Sequence, residues 1–230
     1  MVPPELSVIF PAYNEEDNIY RSLALFSEEL HAIDTEFVVV NDGSRDATST
    51  QILRFQEEHP SLSVRLIEHD RNRGYGAALR SGFQAARGDW SFFTDADLQF
   101  SPADFQSIWC ERESWSVVSG YRYPRKDPLV RSWNARIWGR YIQLLLGVSL
   151  RDLNCAFKLF RTELVQSLPL RSEGALINAE IFALLHQQNI PVKEVPVSHF
   201  PRAAGEQTGA HPFVIIKALR ESIHLRKALN

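Results

Sequence analysis

Hydrophobic and polar positions in the first half of the chain repeat one unit. Four short runs, Leu6–Phe10 (LSVIF), Glu36–Val40 (EFVVV), Val64–Glu68 (VRLIE) and Trp90–Thr94 (WSFFT), are dense in β-branched and aromatic residues, as strands buried on both faces require. Between the first two, Ile19, Leu23, Phe26 and Leu30 recur at helical spacing on one face. Asp46–Glu58 and Tyr75–Ala86 read as the next two helices, and Pro102 starts another toward Arg112, because proline suits a first helical turn. Each run comes after the last at the length of a strand, helix, strand crossover. Such alternation predicts an α/β fold with a mainly parallel central sheet and helices on both faces, in a single domain over residues 1–230.

In a sheet of this kind ligands gather beyond the carboxyl ends of the strands, where loops converge and helix N-termini present unpaired N–H groups. The residues directly after the four runs are mostly polar: Pro11-Ala12-Tyr13-Asn14-Glu15, Asn41-Asp42-Gly43-Ser44, Asp70-Arg71-Asn72-Arg73-Gly74 and Asp95-Ala96-Asp97. Two carboxylates at i and i+2, directly after a buried strand, supply hard oxygen ligands for a divalent cation that also binds phosphate oxygens. Without a cation they would repel a diphosphate, whereas a metal reverses the repulsion and stabilises charge on a leaving nucleoside diphosphate. An isolated Asp-x-Asp is more often a solvated turn; its place beside three other polar loops is what favours the cation site. No third glycine comes after Gly74-Tyr75-Gly76 at the dinucleotide offset and no GK[ST] occurs, which counts against oxidoreductase and ATPase readings. A tight turn into a helix explains those glycines as well as phosphate contact does.

Charge divides the chain. Residues 1–119 carry 9 basic and 20 acidic side chains and residues 120–230 carry 16 and 8, under a total of only -3. Opposite halves point to different partners. The longest uncharged stretch, Ile181–Val192, is too short and too polar for a membrane span. The first residues lack the pattern of a secretory signal, and Cys110 and Cys155 stand outside any CxxC, which fits a cytoplasmic chain with two reduced thiols.

FPAYNEEDNI, VVNDGSRDAT, NRGYGAALRSG and the DADLQ stretch together resemble the family 2 glycosyltransferases of GT-A (Rossmann-like) fold. SGYRY, DLNCAFKLF and EVPVSHFPR look like the dolichyl or polyprenyl phosphate mannosyltransferase and glucosyltransferase branch. The resemblance spans roughly residues 5–210. It implies an inverting hexosyltransferase using a nucleotide sugar, GDP-mannose or UDP-glucose, with Mg2+ or Mn2+ as cofactor. Carried over position by position, Pro11, Ala12, Tyr13 and Glu15 would line the nucleoside pocket. Asp42 would bind the base or ribose, Asn72 would help hold the base, and Gly74 and Ala96 would border the nucleotide. Asp95 would contact sugar or metal, Asp97 would be the main metal ligand, and Gln99 would face metal or sugar. Asn41 stands where many members carry Asp, Tyr75 where many carry Lys, and Ala156 where many carry Gly.

The second half suits an anionic lipid acceptor. Arg122, Arg125, Lys126, Arg131, Arg136 and Arg140 are balanced by Asp127 alone within residues 120–140. Apolar residues recur at helical spacing over 130–147 and again over 212–229, with basic residues around them, a pattern for peripheral membrane contact that an ordinary packed helix also satisfies. Guanidinium forks suit a phosphate monoester; by resemblance Arg122, Arg131 or Arg136, and Arg202 are its clamp, while Asp152 and Glu180 would orient the sugar or the clamp. The reading is hexose transfer to a polyprenyl phosphate at the cytoplasmic membrane face, with or without a membrane-spanning partner subunit. The motifs exclude a nucleic-acid partner for the basic half. A soluble acceptor, or a regulatory subunit that only binds nucleotide sugar, are the rival readings.

Overall fold

The computed structural model describes residues 3–124, 139–201, 221–222 and 225–226. Seven strands form one sheet: β1 Leu6–Ala12, β2 Thr35–Asn41, β3 Ser63–Glu68, β4 Trp90–Thr94, β5 Val117–Arg122, β6 Phe157–Arg161 and β7 Lys193–Val197. Their order is β3-β2-β1-β4-β6-β5-β7. The first four strands are mutually parallel and β5 is parallel to β7, while β6 runs antiparallel between β4 and β5. The helices are α1 Ile19–Glu29, α2 Thr48–Glu58, α3 Tyr75–Ala85, α4 Phe105–Trp109, α5 over 139–146, α6 Thr162–Ser167 and α7 Ile177–Gln187. The four strands and the first three of the four helices expected in the first half are present.

Strand alternation assigns each apolar residue to one of two cores. Phe10, Phe37, Phe92 and Phe157 point to one face, where Phe26 of α1 and Phe105 of α4 meet them edge-on or tilted. Phe93 and Phe160 point to the other, against Phe83 of α3 and Phe182 of α7. Every residue of β1 is buried, which explains its unbroken hydrophobic text. Offset and edge-to-face aromatic pairs each add about 1 kcal/mol beyond their burial, so this ring lattice holds the parallel strands to the central antiparallel one.

Two helix expectations differ in detail. α2 begins at Thr48 rather than Asp46, because Asp46 closes a turn ahead of the helix, its Oδ1 accepting the Thr48 N–H at 3.1 Å. The helix expected from Pro102 is three pieces: 3₁₀ turns at Pro102–Asp104 and Cys110–Glu113 flank the five residues of α4. Phe105, Ile108 and Trp109 are its only buried anchors, enough to pin one turn. α5 covers the end of the amphipathic stretch expected over 130–147; the rest of it, and nearly all of 212–229, lie outside the described residues. Among the described residues no helix is long and apolar enough to cross a membrane.

Candidate active site

Topology gathers the polar loops on one edge. β1, β2, β3 and β4 all end there. Because β6 is antiparallel, its beginning, with Asp152–Ala156 ahead of it, reaches the same edge between β4 and β5. β7 pairs Val197 with Arg122, so Ser198–Phe200 arrive there too, joined to the loop after β4 by a bridge from Phe100 to His199. Pro11, Ala12, Tyr13, Glu15, Asp42, Asn72, Gly74, Asp95, Ala96, Asp97, Gln99 and Arg122 therefore share one rim. Arg131, Arg136 and Arg202 lie outside the described residues.

The expected nucleoside wall is laced together. Asn14 N–H donates to Ser44 Oγ at 2.9 Å and Arg45 N–H to Asn14 Oδ1 at 2.9 Å. Glu15 N–H donates to Thr48 Oγ1, and Ala47 N–H to Glu16 Oε2. Asn14 accepts a left-handed φ of 55° for this, which asparagine tolerates better than most residues. Pro11 and Ala12 are buried as the last two residues of β1. Asn41 explains its own identity: Oδ1 accepts the Ser44 N–H and its amide donates to Ser49 Oγ at 2.6 Å, which in turn donates to Glu68 at 2.6 Å. An aspartate could not donate to that serine.

Asp42 is tied into the protein. Its carboxylate accepts the backbone N–H groups of Arg73 and Gly74, at 2.9 and 2.7 Å, and faces His69 Nδ1 at 2.6 Å; His69 Nε2 meets Ser81 Oγ. The shape of the 70–74 turn thus depends on Asp42. That turn, with Glu173 and Gly174, lines an open pocket of about 550 Å³ in which Asn72 is exposed. The helix N-terminus after it is not open to a ligand as such ends commonly are: the Glu173 carbonyl accepts the N–H groups of Gly76 and Ala77 at 2.8 and 3.2 Å. Gly74 has φ 102°, and a Cβ there would stand 2.4 Å from that carbonyl oxygen. Both features assign this glycine to backbone approach.

The carboxylate pair sits at the centre. Asp97 is buried and its Oδ1 accepts the Gln99 N–H at 3.1 Å. Asp95 is half-buried, with Tyr75 O–H donating to its Oδ1 at 3.0 Å. Burial, and next the Asp97 charge, push the Asp95 carboxyl up to about 7, against the tyrosine hydrogen bond. Burial and Asp95 in turn hold Tyr75 well above the usual phenol range. The Gln99 amide N–H donates to the Phe200 carbonyl at 3.1 Å, which orients its Oε1 as an acceptor. Two crowded carboxylates and an amide oxygen fit a hard cation such as Mg2+ or Mn2+. Among the described residues no group of three or more His, Cys, Asp or Glu gathers to hold a metal alone, so diphosphate oxygens and water would complete its shell.

Arg122 and Asp152, expected on the acceptor side, form a fork: Nε to Oδ2 at 2.6 Å and Nη2 to Oδ1 at 2.8 Å, both side chains nearly buried. Glu180 does not reach this pair. Its carboxylate accepts the N–H groups of Arg171 and Ser172, fixing the loop that covers the start of α3. Motifs alone miss two groups. His69 gives no signal, lying in no motif. Lys158, fully buried on β6, gives one: a lysine inside the apolar run AFKLF.

Comparison with known proteins agrees with this geometry. Residues 7–168 match the model of glycosyl transferase family 2. A dolichyl-phosphate beta-glucosyltransferase of Dictyostelium discoideum is 32% identical over 214 residues, covering 84% of this chain and 65% of the relative. An undecaprenyl-phosphate 4-deoxy-4-formamido-L-arabinose transferase of Pseudomonas paraeruginosa is 32% identical over 208 residues, covering 87% and 59%. A dodecaprenyl-phosphate galacturonate synthase of Rhizobium johnstonii is 31% identical over 212 residues, covering 87% and 60%. The chain thus spans about three fifths of the length of these relatives. Among solved structures, glucosyl-3-phosphoglycerate synthase from Mycobacterium tuberculosis in complex with UDP superposes with a TM-score of 0.72 at 18% identity, covering 97% of this chain and 80% of that one. The same enzyme with Mn2+, UDP and glucosyl-3-phosphoglycerate gives 0.70 at 19%, covering 98% and 80%. The fold is GT-A like, and the chain belongs to glycosyl transferase family 2.

Proposed function

We propose that this protein moves a sugar, with inversion, from a nucleoside diphosphate to a polyprenyl phosphate at the cytoplasmic membrane face. The observation that carries the reading is the placement of the Arg122–Asp152 fork and the Asp95–Asp97 pair at the ends of β5 and β4, flanking the start of β6. The relatives named above share a polyprenyl or dolichyl phosphate in their names, although their sugars differ. A hexose, mannose or glucose, is our choice for this chain.

In this scheme the loops after β1, β2 and β3 hold the nucleoside, and Asp95, Asp97 and Gln99 would hold Mg2+ or Mn2+. The cation would supply charge stabilisation for the departing nucleoside diphosphate. Asp152 sets the plane of the Arg122 guanidinium, so little side-chain freedom is lost when it meets a phosphate. A lipid phosphate has a second pKa of ~6 and brings its own anionic oxygen, so the rim need not supply a side-chain base. That oxygen bonds to the anomeric carbon from the side opposite the diphosphate. The bond to the diphosphate breaks and its electron pair leaves with the nucleotide. The chain's task is alignment and charge neutralisation.

The test is transfer of radiolabelled sugar from UDP-glucose or GDP-mannose to undecaprenyl phosphate with Mg2+. Butanol-extractable product is expected, reduced about 10³-fold in Asp97→Ala, a loss of several kcal/mol of transition-state stabilisation. No lipid product from any donor, or undiminished product from Asp97→Ala, rejects the reading. A soluble acceptor is the second reading, favoured by the fold shared with a synthase crystallised with phosphoglyceric acid.

A further inference from the structure

Lys158 has no part in the scheme above, yet it is a fully buried charge placed between both halves of the rim. It pairs with Phe93, two residues before Asp95, and with Ser119, three before Arg122. Its ammonium lies 5.4 and 5.6 Å from the ring centres of Phe93 and Phe182 and donates to the Cys155 carbonyl. Among the described residues its one hydrogen-bond acceptor is that carbonyl oxygen, where an ammonium has three N–H groups to place. Burial therefore pulls its pKa down to about 8, against the stabilising charges of Asp152 and Asp95. A methionine would fill the same space without desolvating a charge. What the lysine adds must lie in what its N–H groups and charge hold in place.

Its hydrogen bond to that carbonyl begins a relay. The Cys155 carbonyl belongs to a turn closed by Cys155 N–H to the Asp152 carbonyl at 3.2 Å. Asp152 leaves that turn to grip Arg122 through both carboxylate oxygens. Arg151, beside it, is held by a second set of contacts, its N–H on Glu194 at 2.7 Å and its guanidinium 4.8 Å from the Tyr121 ring. The turn is thus fixed from above by β5 and β7, and from below by Lys158. Cys155 itself contributes no charge, since burial pushes its thiol up to about 12.

We propose that Lys158 is a positioning residue for the acceptor clamp: from inside the sheet it anchors the 152–155 turn that presents Asp152 to Arg122. The proposal rests on the polyprenyl phosphate reading for its effect on turnover, and on geometry alone for its effect on Arg122. Without the lysine the turn loses its floor, Arg122 samples other rotamers, and the phosphate must order the guanidinium itself. The loops after β1, β2 and β3, which hold the nucleoside in this scheme, supply none of the hydrogen-bond or ring contacts of Lys158 among the described residues.

Two readouts on the full chain test it. In steady-state transfer to undecaprenyl phosphate, Lys158→Met is expected to raise the acceptor KM about tenfold with the donor KM within about twofold of wild type, as loss of a preorganised phosphate contact would. By NMR, the Arg122 Nε–Hε resonance, identified by its loss in Arg122→Lys, is sharp and shifted in the wild type and broadens or moves to the solvent-exposed position in Lys158→Met. Lys158→Gln, which keeps an N–H donor without the charge, carries the same two measurements if the methionine variant does not fold. An unchanged Arg122 resonance in a folded variant overturns the proposal, as does a donor KM that rises with the acceptor KM. If the wild type transfers to no polyprenyl phosphate but the resonance still responds to Lys158, the acceptor reading fails and the relay stands.

Discussion

At the scale of single residues, polar side chains inside the sheet do most to set the outcome, and they are the hardest to interpret from sequence. Glu36 is 1% exposed on β2. It accepts Ser7 O–H and Arg87 N–H on one oxygen and the Arg87 guanidinium on the other, with Arg65 at 3.5 Å. Burial alone would raise its pKa, but Ser7, then the Arg87 N–H and guanidinium, hold it below the usual carboxylate value. A depressed carboxyl stabilises the fold above its unfolded pKa, and that contribution fades as pH falls through the folded value. Glu36→Gln is therefore expected to cost about 2 kcal/mol at pH 7, as lost hydrogen bonds to a charged group do. Melting curves from about pH 7 down to about pH 3 should show the gap to wild type closing below about pH 4, where an ordinary glutamate protonates. Asp95 and Asp97 are legible because their chemistry sits directly after a strand in a compact motif. Glu36 is not, since nothing local says that it will meet Arg87, 51 residues away, and for Lys158 the apolar run around it shows a buried charge without showing what that charge holds.

At the scale of elements, periodicity locates β1 to β4 and α1 to α3 within about two residues at nearly every end, because each buries a continuous apolar face whose spacing is visible in the text. β5, β6 and β7 carry no such regular crossovers. Their mixed directions depend on pairings between Val117 and Phe160 or Val118 and Lys193, which are long-range. The start of α3 shows the same limit. By sequence Gly74-Tyr75-Gly76 suits a turn and phosphate contact equally, and the loop that fills the space lies far along the chain. A Cβ on Gly76 would stand 2.5 Å from the Ser172 carbonyl oxygen and 2.7 Å from that of Gly174, both backbone atoms that cannot step aside alone. Gly76→Ala is expected to cost about 1–3 kcal/mol, as overpacking does, or roughly 2–12 °C in Tm for a chain of this size. A melting temperature equal to wild type would show that the 172–174 loop does not rest on α3.

For the whole molecule, the charge division now has a partial structural counterpart. The acidic half supplies β1 to β4 and the Asp95–Asp97 pair, and the basic half brings Arg122 to the same rim. The arginines at 131, 136 and 202 that would complete the clamp lie in segments outside the described residues. Metal dependence belongs to this scale as well: Mn2+ is expected to increase the thermal stabilisation given by UDP or GDP in the wild type, through tighter binding to the folded state, and to add nothing in Asp97→Ala. Differential scanning fluorimetry reads both.

The central claim concerns the acceptor, and a competition assay tests it most directly. One radiolabelled donor, with Mg2+, is offered undecaprenyl phosphate in detergent and 3-phosphoglycerate in the same tube, and the label is partitioned between butanol and water. Label in the butanol phase, lost in Asp97→Ala and reduced in Arg122→Ala, is the predicted result. Label confined to a phosphorylated product in water would contradict the account and assign this chain a soluble acceptor.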